Sequence, residues 1–225
     1  MTDLRSLLSD AASELGFRYF ALLHHSALAR PEGRIRLDNY PTEWVKEIVE
    51  DDLCRHDPVH LACRRASMAF PWSTLAALVT LGPTQMKILT RSRYYGLGEG
   101  ITVPVHVPGE PSGSCSFAVA CGADLPRQRL DCSAAVGTIG FSTARRLAHL
   151  PRFQSPPHLS RREAQCLRLL AAGKTDWEIA TILGISFETA RQYVKRARNA
   201  YDVVSRTQLA LLALRDQWVD FDDAL

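Results

Sequence analysis

The hydrophobic pattern divides the chain in two. Up to about residue 150, stretches with strand character alternate with helical ones; from about residue 158 every periodic stretch is helical. Met1 to Gly16 has an amphipathic helical pattern carrying Asp3, Arg5, Asp10 and Glu14. Gly16 to His25 and Arg34 to Asn39 read as strands. Pro41 to Glu50 reads as a helix with Pro41 in its first turn. Asp57-Pro58 opens another helix, to about Ser67, and Pro83 to Tyr95 forms a third. Ile101 to Val107 and Ser114 to Cys121 flank a Gly/Pro turn and read as a hairpin. Phe70-Pro71-Trp72 reads as core or turn. Arg127 to Leu150 reads as a long helix suited to dimerisation, weakened by Gly137 and Gly140. Three prolines within Pro151 to Pro157 cannot continue that helix and mark a linker. The expected domains are therefore 1–150 and 158–225, joined by 151–157.

The second segment is written in caps. Ser160 with Glu163, and Thr175 with Glu178, are capping boxes: each pair satisfies two orphan backbone N–H groups reciprocally. Gly173 and Gly184 are helix stops, Ser186 caps a third helix, and Ser205 with Gln208 caps a fourth. Four short helices result, and the tight turn Leu183 to Ser186 makes the second and third a helix-turn-helix. Ala190, Val194, Ala197 and Tyr201 form one apolar stripe on the third helix. Arg191, Lys195, Arg198 and Asn199 lie on a different face, flanked by Gln192 and Arg196. A basic stripe alone is usually a solvated face. Within a capped frame it suits a major groove, which admits one helix whose Arg or Lys can bond guanine. Lys174 and the helix N-termini would contact phosphates.

Composition narrows the class. The chain has 225 residues, 46% hydrophobic and 23% charged, with a net charge of +3. That charge is too small to signal nucleic-acid binding by itself, so any basic surface is local. No apolar run approaches the roughly 18 residues of a membrane span, and the N-terminus is not a signal peptide, so a cytoplasmic protein is expected. The six cysteines show no metal-ligand spacing, and most should be small buried hydrophobes. No metal or cofactor is expected.

Leu159-Ser160-x-x-Glu163, Ala171-x-Gly173-Lys174-Thr175, Glu178-Ile179-Ala180, Leu183-x-Ile185-Ser186, Thr189-Ala190 and Val203-x-Ser205-Arg206 resemble the LuxR-type helix-turn-helix. Tyr193 and Ala190 depart from it, where His and Val are usual. The resemblance implies an all-α four-helix domain. Arg191 and Lys195 are its expected base readers, with Lys174, Thr189, Gln192, Arg196 and Arg198 on the DNA face. It also implies dimerisation through the fourth helix around Leu209, Leu212 and Ala213.

Tyr40, Trp44 and Ile48, spaced i, i+4, i+8 and joined by Val45 and Val49, make by spacing alone an ordinary core stripe. Asp57 before Pro58 is an ordinary cap. Together, Tyr40-Pro41-x-x-Trp44, Asp57-Pro58-Val59, Phe70-Pro71-Trp72 and Gly100 resemble the acyl-homoserine-lactone-binding domain of quorum-sensing LuxR regulators. The resemblance implies an α+β protein: an N-terminal α/β/α sandwich around a central antiparallel sheet, followed by the helical domain. Its chemistry suits a lactone joined to an acyl chain through an amide. Trp44 would donate to the lactone carbonyl and Asp57 would accept from the amide N–H. Tyr40 and Ser116 would donate to the acyl carbonyl, and Trp72 would wall the lactone. An unpaired Asp57 would be costly, coupling ligand binding to folding. Ile48 stands where the family has Tyr, which implies an acyl preference shifted toward branched, aromatic or bulky groups.

The expected function is a homodimeric quorum-sensing regulator that binds a near-palindromic operator, with RNA polymerase as a candidate partner. One alternative is an orphan regulator that answers a different small molecule or acts without ligand. A response regulator would need acidic residues where the first strand ends in His24-His25. An enzyme built on His24, His25, His56 and His60 lacks any accompanying catalytic motif.

Overall fold

The computed structural model describes residues 1–26, 34–107, 110–149 and 156–220. The chain forms two compact units, Met1–Arg152 and Phe153–Leu225. The linker expected at 151–157 lies, except for its last two residues, outside the described residues.

The first unit is built on a five-stranded antiparallel sheet of order β2-β1-β5-β4-β3. Its strands are β1 Tyr19–His24, β2 Arg36–Asp38, β3 Phe70–Pro71, β4 Leu97–Val105 and β5 Gly113–Ala120. The strands alternate faces as the pleat dictates. Phe20, Leu22, Cys115 and Phe117 point to one side, where they join Leu4, Leu8 and Ala12 of α1 (Thr2–Glu14) and Phe141 and Ala144 of α6 (Leu130–Leu147). Ala21, Leu23, Ser114 and Ser116 point to the other side, toward a cavity. That side is covered by α2 (Thr42–Glu50), α3 (Pro58–Cys63), α4 (Leu75–Leu78) and α5 (Pro83–Tyr94), whose buried residues form two smaller clusters. The layers are those of an α/β/α sandwich.

Two expectations change. Gly137 and Gly140 do not weaken α6; they let it lie against its neighbours. A Cβ at Gly137 would stand 2.8 Å from Val103 Cγ2, and one at Gly140 would stand 2.9 Å from Leu8 Cδ2. Phe70 is core, as one of the two readings had it, but Phe70-Pro71 is an edge strand and not a turn.

The second unit contains α7 (Arg161–Ala171), α8 (Asp176–Leu183), α9 (Phe187–Ala200) and α10 (Arg206–Arg215). Its caps are formed. Ser160 N donates to Glu163 Oε2 at 2.8 Å, Thr175 N to Glu178 Oε2 at 2.7 Å, and Thr189 N to Ser186 Oγ at 3.1 Å. Gly184 ends α8 at φ 63°, the left-handed conformation that turns the chain into α9. Leu167, Ile179, Ala190, Ala197, Leu209 and Ala213 are fully buried in one core. Arg206 bonds both Asp176 and the Lys174 carbonyl, tying α10 to the start of α8. Of the dimer seam expected around Leu209, Leu212 and Ala213, Leu212 is half-buried, and the places of Leu209 and Ala213 are revised. Both are core residues of their own unit, and Leu211, 62% exposed, lies on the outward face of α10.

Candidate functional site

The cavity between the sheet and the α2–α5 layer has two lobes. Tyr40, Trp44 and Asp57 line both, Trp72 and Ser116 line one, and Ile48 lines the other. All six expected ligand residues therefore surround one site. They reach it by different routes. Trp44 and Ile48 are the buried face of α2. Tyr40 lies just before that helix, which begins at Thr42, and its ring meets Tyr19 edge-on at 6.2 Å. Val49, expected on the same stripe, is 38% exposed.

Asp57 caps α3: its Oδ1 accepts from Val59 N at 2.8 Å. Its Oδ2 lies 3.9 Å from His60 Nε2. One carboxylate oxygen is thus satisfied by the cap, while Oδ2 has only the His60 ring nearby. Trp72 follows β3. Its Nε1 donates to Thr102 Oγ1 at 2.8 Å, and that hydroxyl is 2.8 Å from Ser116 Oγ. The indole lies over Gly100, where a Cβ would be 2.9 Å from the ring. Burial, and after it the charge on Asp57, raises the pKa of the Tyr40 hydroxyl, while hydrogen bonding to Ser116 opposes this. Tyr40 is thus a neutral donor. The Trp44 indole N–H has no hydrogen bond among the described residues, although the residue is only 4% exposed.

Three polar residues that the sequence analysis did not assign to the site complete it. His60 lines both lobes, and its ring stacks on His25 with centroids 4.1 Å apart and planes 14° apart. His25 Nε2 is 3.0 Å from Ser114 Oγ. Burial, and after it His60, holds the His25 pKa well below the usual imidazole value, so His25 is neutral. Spacing carried the signal: His60 is one helical turn from Asp57, and Ser114 is two strand positions from Ser116. Cys63, behind them, has its thiol pushed up to about 12 by burial. Cys54, Cys63, Cys115 and Cys166 are buried, whereas Cys121 and Cys132 are exposed.

Each lobe holds about 50 Å³. Small-molecule pockets begin near 300 Å³, so the walls must part for a ligand of that size. One of those walls is α2 beside α5. Glu47 accepts from Arg91 Nε at 2.6 Å and from the Tyr95 hydroxyl at 2.7 Å, which joins the two elements over Trp44.

In the second unit, α9 exposes Arg191, Gln192, Lys195 and Arg196. Glu188 braces two of them: its Oε2 is 3.9 Å from Arg191 Nη1, and its Oε1 accepts from Gln192 Nε2 at 3.5 Å. Lys174 is exposed beside the first turn of α8, and Thr189 is half-buried with its hydroxyl against Ser186. Arg198 differs from the rest of the stripe. It is half-buried and donates to the Val204 carbonyl at 2.9 Å, bracing the turn after α9.

Residues 1–147 match the family model for the autoinducer binding domain, and residues 157–213 match that for bacterial regulatory proteins of the luxR family. The chain is 30% identical to the transcriptional activator protein TraR of Rhizobium radiobacter over 220 residues, covering 94% of this chain and 90% of that one. It is 24% identical to the transcriptional activator protein LuxR of Aliivibrio fischeri, over 92% of this chain and 84% of that one. The crystal structure of Escherichia coli SdiA superposes with a TM-score of 0.65 at 24% identity, covering 97% of this chain and 92% of that one. No helix among the described residues is long and apolar enough to cross a membrane.

Proposed function

The chain belongs to the LuxR-type quorum-sensing transcription regulators, and from that premise we propose that it binds an N-acyl-homoserine lactone in its first unit and an operator, as a homodimer, through its second. In this reading residues 1–150 are the autoinducer-binding and dimerisation domain, 151–157 the linker and 158–225 the DNA-binding domain. The protein acts in the cytoplasm. The observation that carries the ligand half is the convergence of Tyr40, Trp44, Asp57, Trp72 and Ser116 on one enclosed cavity. It offers a free indole donor, a neutral phenol and a carboxylate oxygen among apolar walls. Trp44 holds the lactone carbonyl, Asp57 Oδ2 the amide N–H and Tyr40 the acyl carbonyl. Ser116 acts with Thr102, and Trp72 closes over the ring. Ile48 widens the second lobe toward branched, aromatic or bulky acyl groups.

The DNA half follows from the exposed face of α9. Arg191 and Lys195 read bases, and Gln192 and Arg196 flank them. Lys174, Thr189 and the N-terminus of α8 position the phosphates. Two copies bind half-sites about one helical turn apart on a near-palindromic operator. Leu211 on α10 and Ile139 on α6, exposed at 62% and 65%, give each unit an outward apolar residue for a partner copy. Ligand fills the cavity, fixes α2 against the sheet and shifts the population toward the DNA-competent dimer, which engages RNA polymerase.

The test is a thermal-shift titration with homoserine lactones bearing linear, branched and aromatic acyl groups. Ligand at 100 times its Kd adds about 2.7 kcal/mol to the folded state. Asp57→Asn is the control, because Asn still caps α3. A shift with one acyl class that is lost in Asp57→Asn is expected. A folded, DNA-binding protein that no lactone shifts would overturn the ligand half.

A further inference from the structure

His60 stands beside Asp57 where the two lobes meet. It is 8% exposed and lines both. Its hydrogen-bonding state follows from its neighbours. Nδ1 is 3.4 Å from the Cys54 carbonyl oxygen. A carbonyl oxygen only accepts, so Nδ1 carries the hydrogen. In the neutral ring Nε2 is then a lone pair, and it faces Asp57 Oδ2 at 3.9 Å. With the ring neutral, two acceptors therefore look toward the same space, and no group among the described residues donates between them. The ring is fixed in this pose by the parallel stack on His25, which Ser114 holds from β5. Asp57 is fixed by its cap bond to Val59.

We propose that His60 is a specificity-determining residue that works as a second acceptor beside Asp57, so that the junction selects ligands by the number of N–H donors they bring to it. The proposal rests on the reading of this cavity as the lactone site. One N–H, as in an N-acyl amide, satisfies Asp57 and draws on the His60 lone pair. An ester oxygen in its place sets a third lone-pair-bearing atom against the other two. A urea linkage presents two parallel N–H groups, one for Asp57 Oδ2 and one for His60 Nε2. The site should therefore rank urea above amide above ester for one acyl chain and one lactone ring.

Calorimetric titration of the full chain at pH 8 tests this with three ligands that differ only in that linkage. The probes are an N-acyl homoserine lactone, its O-acyl ester isostere and its alkylcarbamoyl (urea) isostere. In the wild type the amide should bind at least tenfold more tightly than the ester, and the urea severalfold more tightly than the amide. In His60→Leu the amide-to-ester ratio should fall about tenfold and the urea advantage should vanish. His60→Gln, which retains an acceptor oxygen, should recover part of both. The ratios are taken within each variant, so a change in stability does not move them. A wild type with no preference for the urea, or ratios unchanged in His60→Leu, overturns the proposal while leaving the lactone reading intact. Failure of the wild type to bind any of the three overturns both.

Discussion

Gly100→Ala adds one methyl group at the place where the pocket wall meets the sheet. Gly100 pairs with Ala118 in β4·β5, and the new carbon would lie 2.6 Å from the Phe117 carbonyl oxygen and 2.9 Å from Trp72 Cε2 and Cζ2. Carbon–oxygen contacts between strands are ordinarily about 3.3 Å or longer. The shortfall against the oxygen is about 0.7 Å. That oxygen belongs to the backbone of a central strand whose Phe117 side chain is fully buried, so the strand cannot give. The indole can move, but its Nε1 is bonded to Thr102, and losing that bond also disturbs Ser116. Overpacking of this kind costs about 1–3 kcal/mol. Near the middle of that range, about 2 kcal/mol lowers Tm by roughly 4–8 °C in a domain of this size. Because Trp72 yields first, ligand binding should suffer more than stability. Thermal denaturation and a lactone titration on the same samples separate the two effects. A variant with wild-type Tm and wild-type affinity would show that the indole does not depend on the bare backbone at Gly100.

Other expectations follow from single contacts. Arg91, and after it Tyr95, holds the Glu47 carboxyl down to about 2. A depressed carboxyl stabilises the fold above its unfolded value, near pH 4.3, and that contribution is lost as pH falls from there toward 2. Glu47→Gln should therefore cost about 1 kcal/mol at pH 7, given the solvent screening of this pair, and flatten the acid limb of a Tm-against-pH curve; an unchanged acid limb would count against the α2–α5 tie. Arg191→Ala should cost about 1–3 kcal/mol in operator binding and relax specificity at one base position, whereas Lys174→Ala should weaken all sequences alike and reduce the salt slope by about one. Gel-shift titrations on single-base operator variants at two salt concentrations read both, and unchanged specificity in Arg191→Ala would reassign the base reader.

Legibility in the sequence followed the range of the interactions concerned. The second unit was readable almost residue by residue because its determinants are local: a capping box spans four residues, a left-handed glycine one, and the stripe of α9 a few turns. The first unit was readable where local rules sufficed, as in the Asp57-Pro58 cap, the hairpin strands and the buried face of α2. It misled where meaning comes from across the sheet. Gly137 and Gly140 look like defects in a helix until Val103 and Leu8 are seen against them. Phe70-Pro71-Trp72 reads as core or turn until β4 pairs with it as a strand. The resemblance implies a seam around Leu209, Leu212 and Ala213, but it cannot say which side chains of the helix meet its own core; the complete burial of Leu209 and Ala213 places those two there.

The same distinction explains how the candidate site was found and where it was incomplete. Tyr40, Trp44, Asp57, Trp72 and Ser116 come from four separate stretches, and periodicity can join only Tyr40 and Trp44; the family resemblance supplied the rest of their association. What it did not supply was His60, because a resemblance carries over only the residues of its motifs. His60 is not among the residues that carry the resemblance, and a lone histidine in an apolar helix is by default structural. Three facts together lift it from that default: the Cys54 carbonyl that fixes its tautomer, the His25 stack that fixes its plane, and the Asp57 oxygen it faces. Each joins α3 to another point in the chain or to its own cap. In the proposed reading, head-group contacts fall to the residues that carry the resemblance, while discrimination among ligands falls to Ile48 and His60, which line the same lobe.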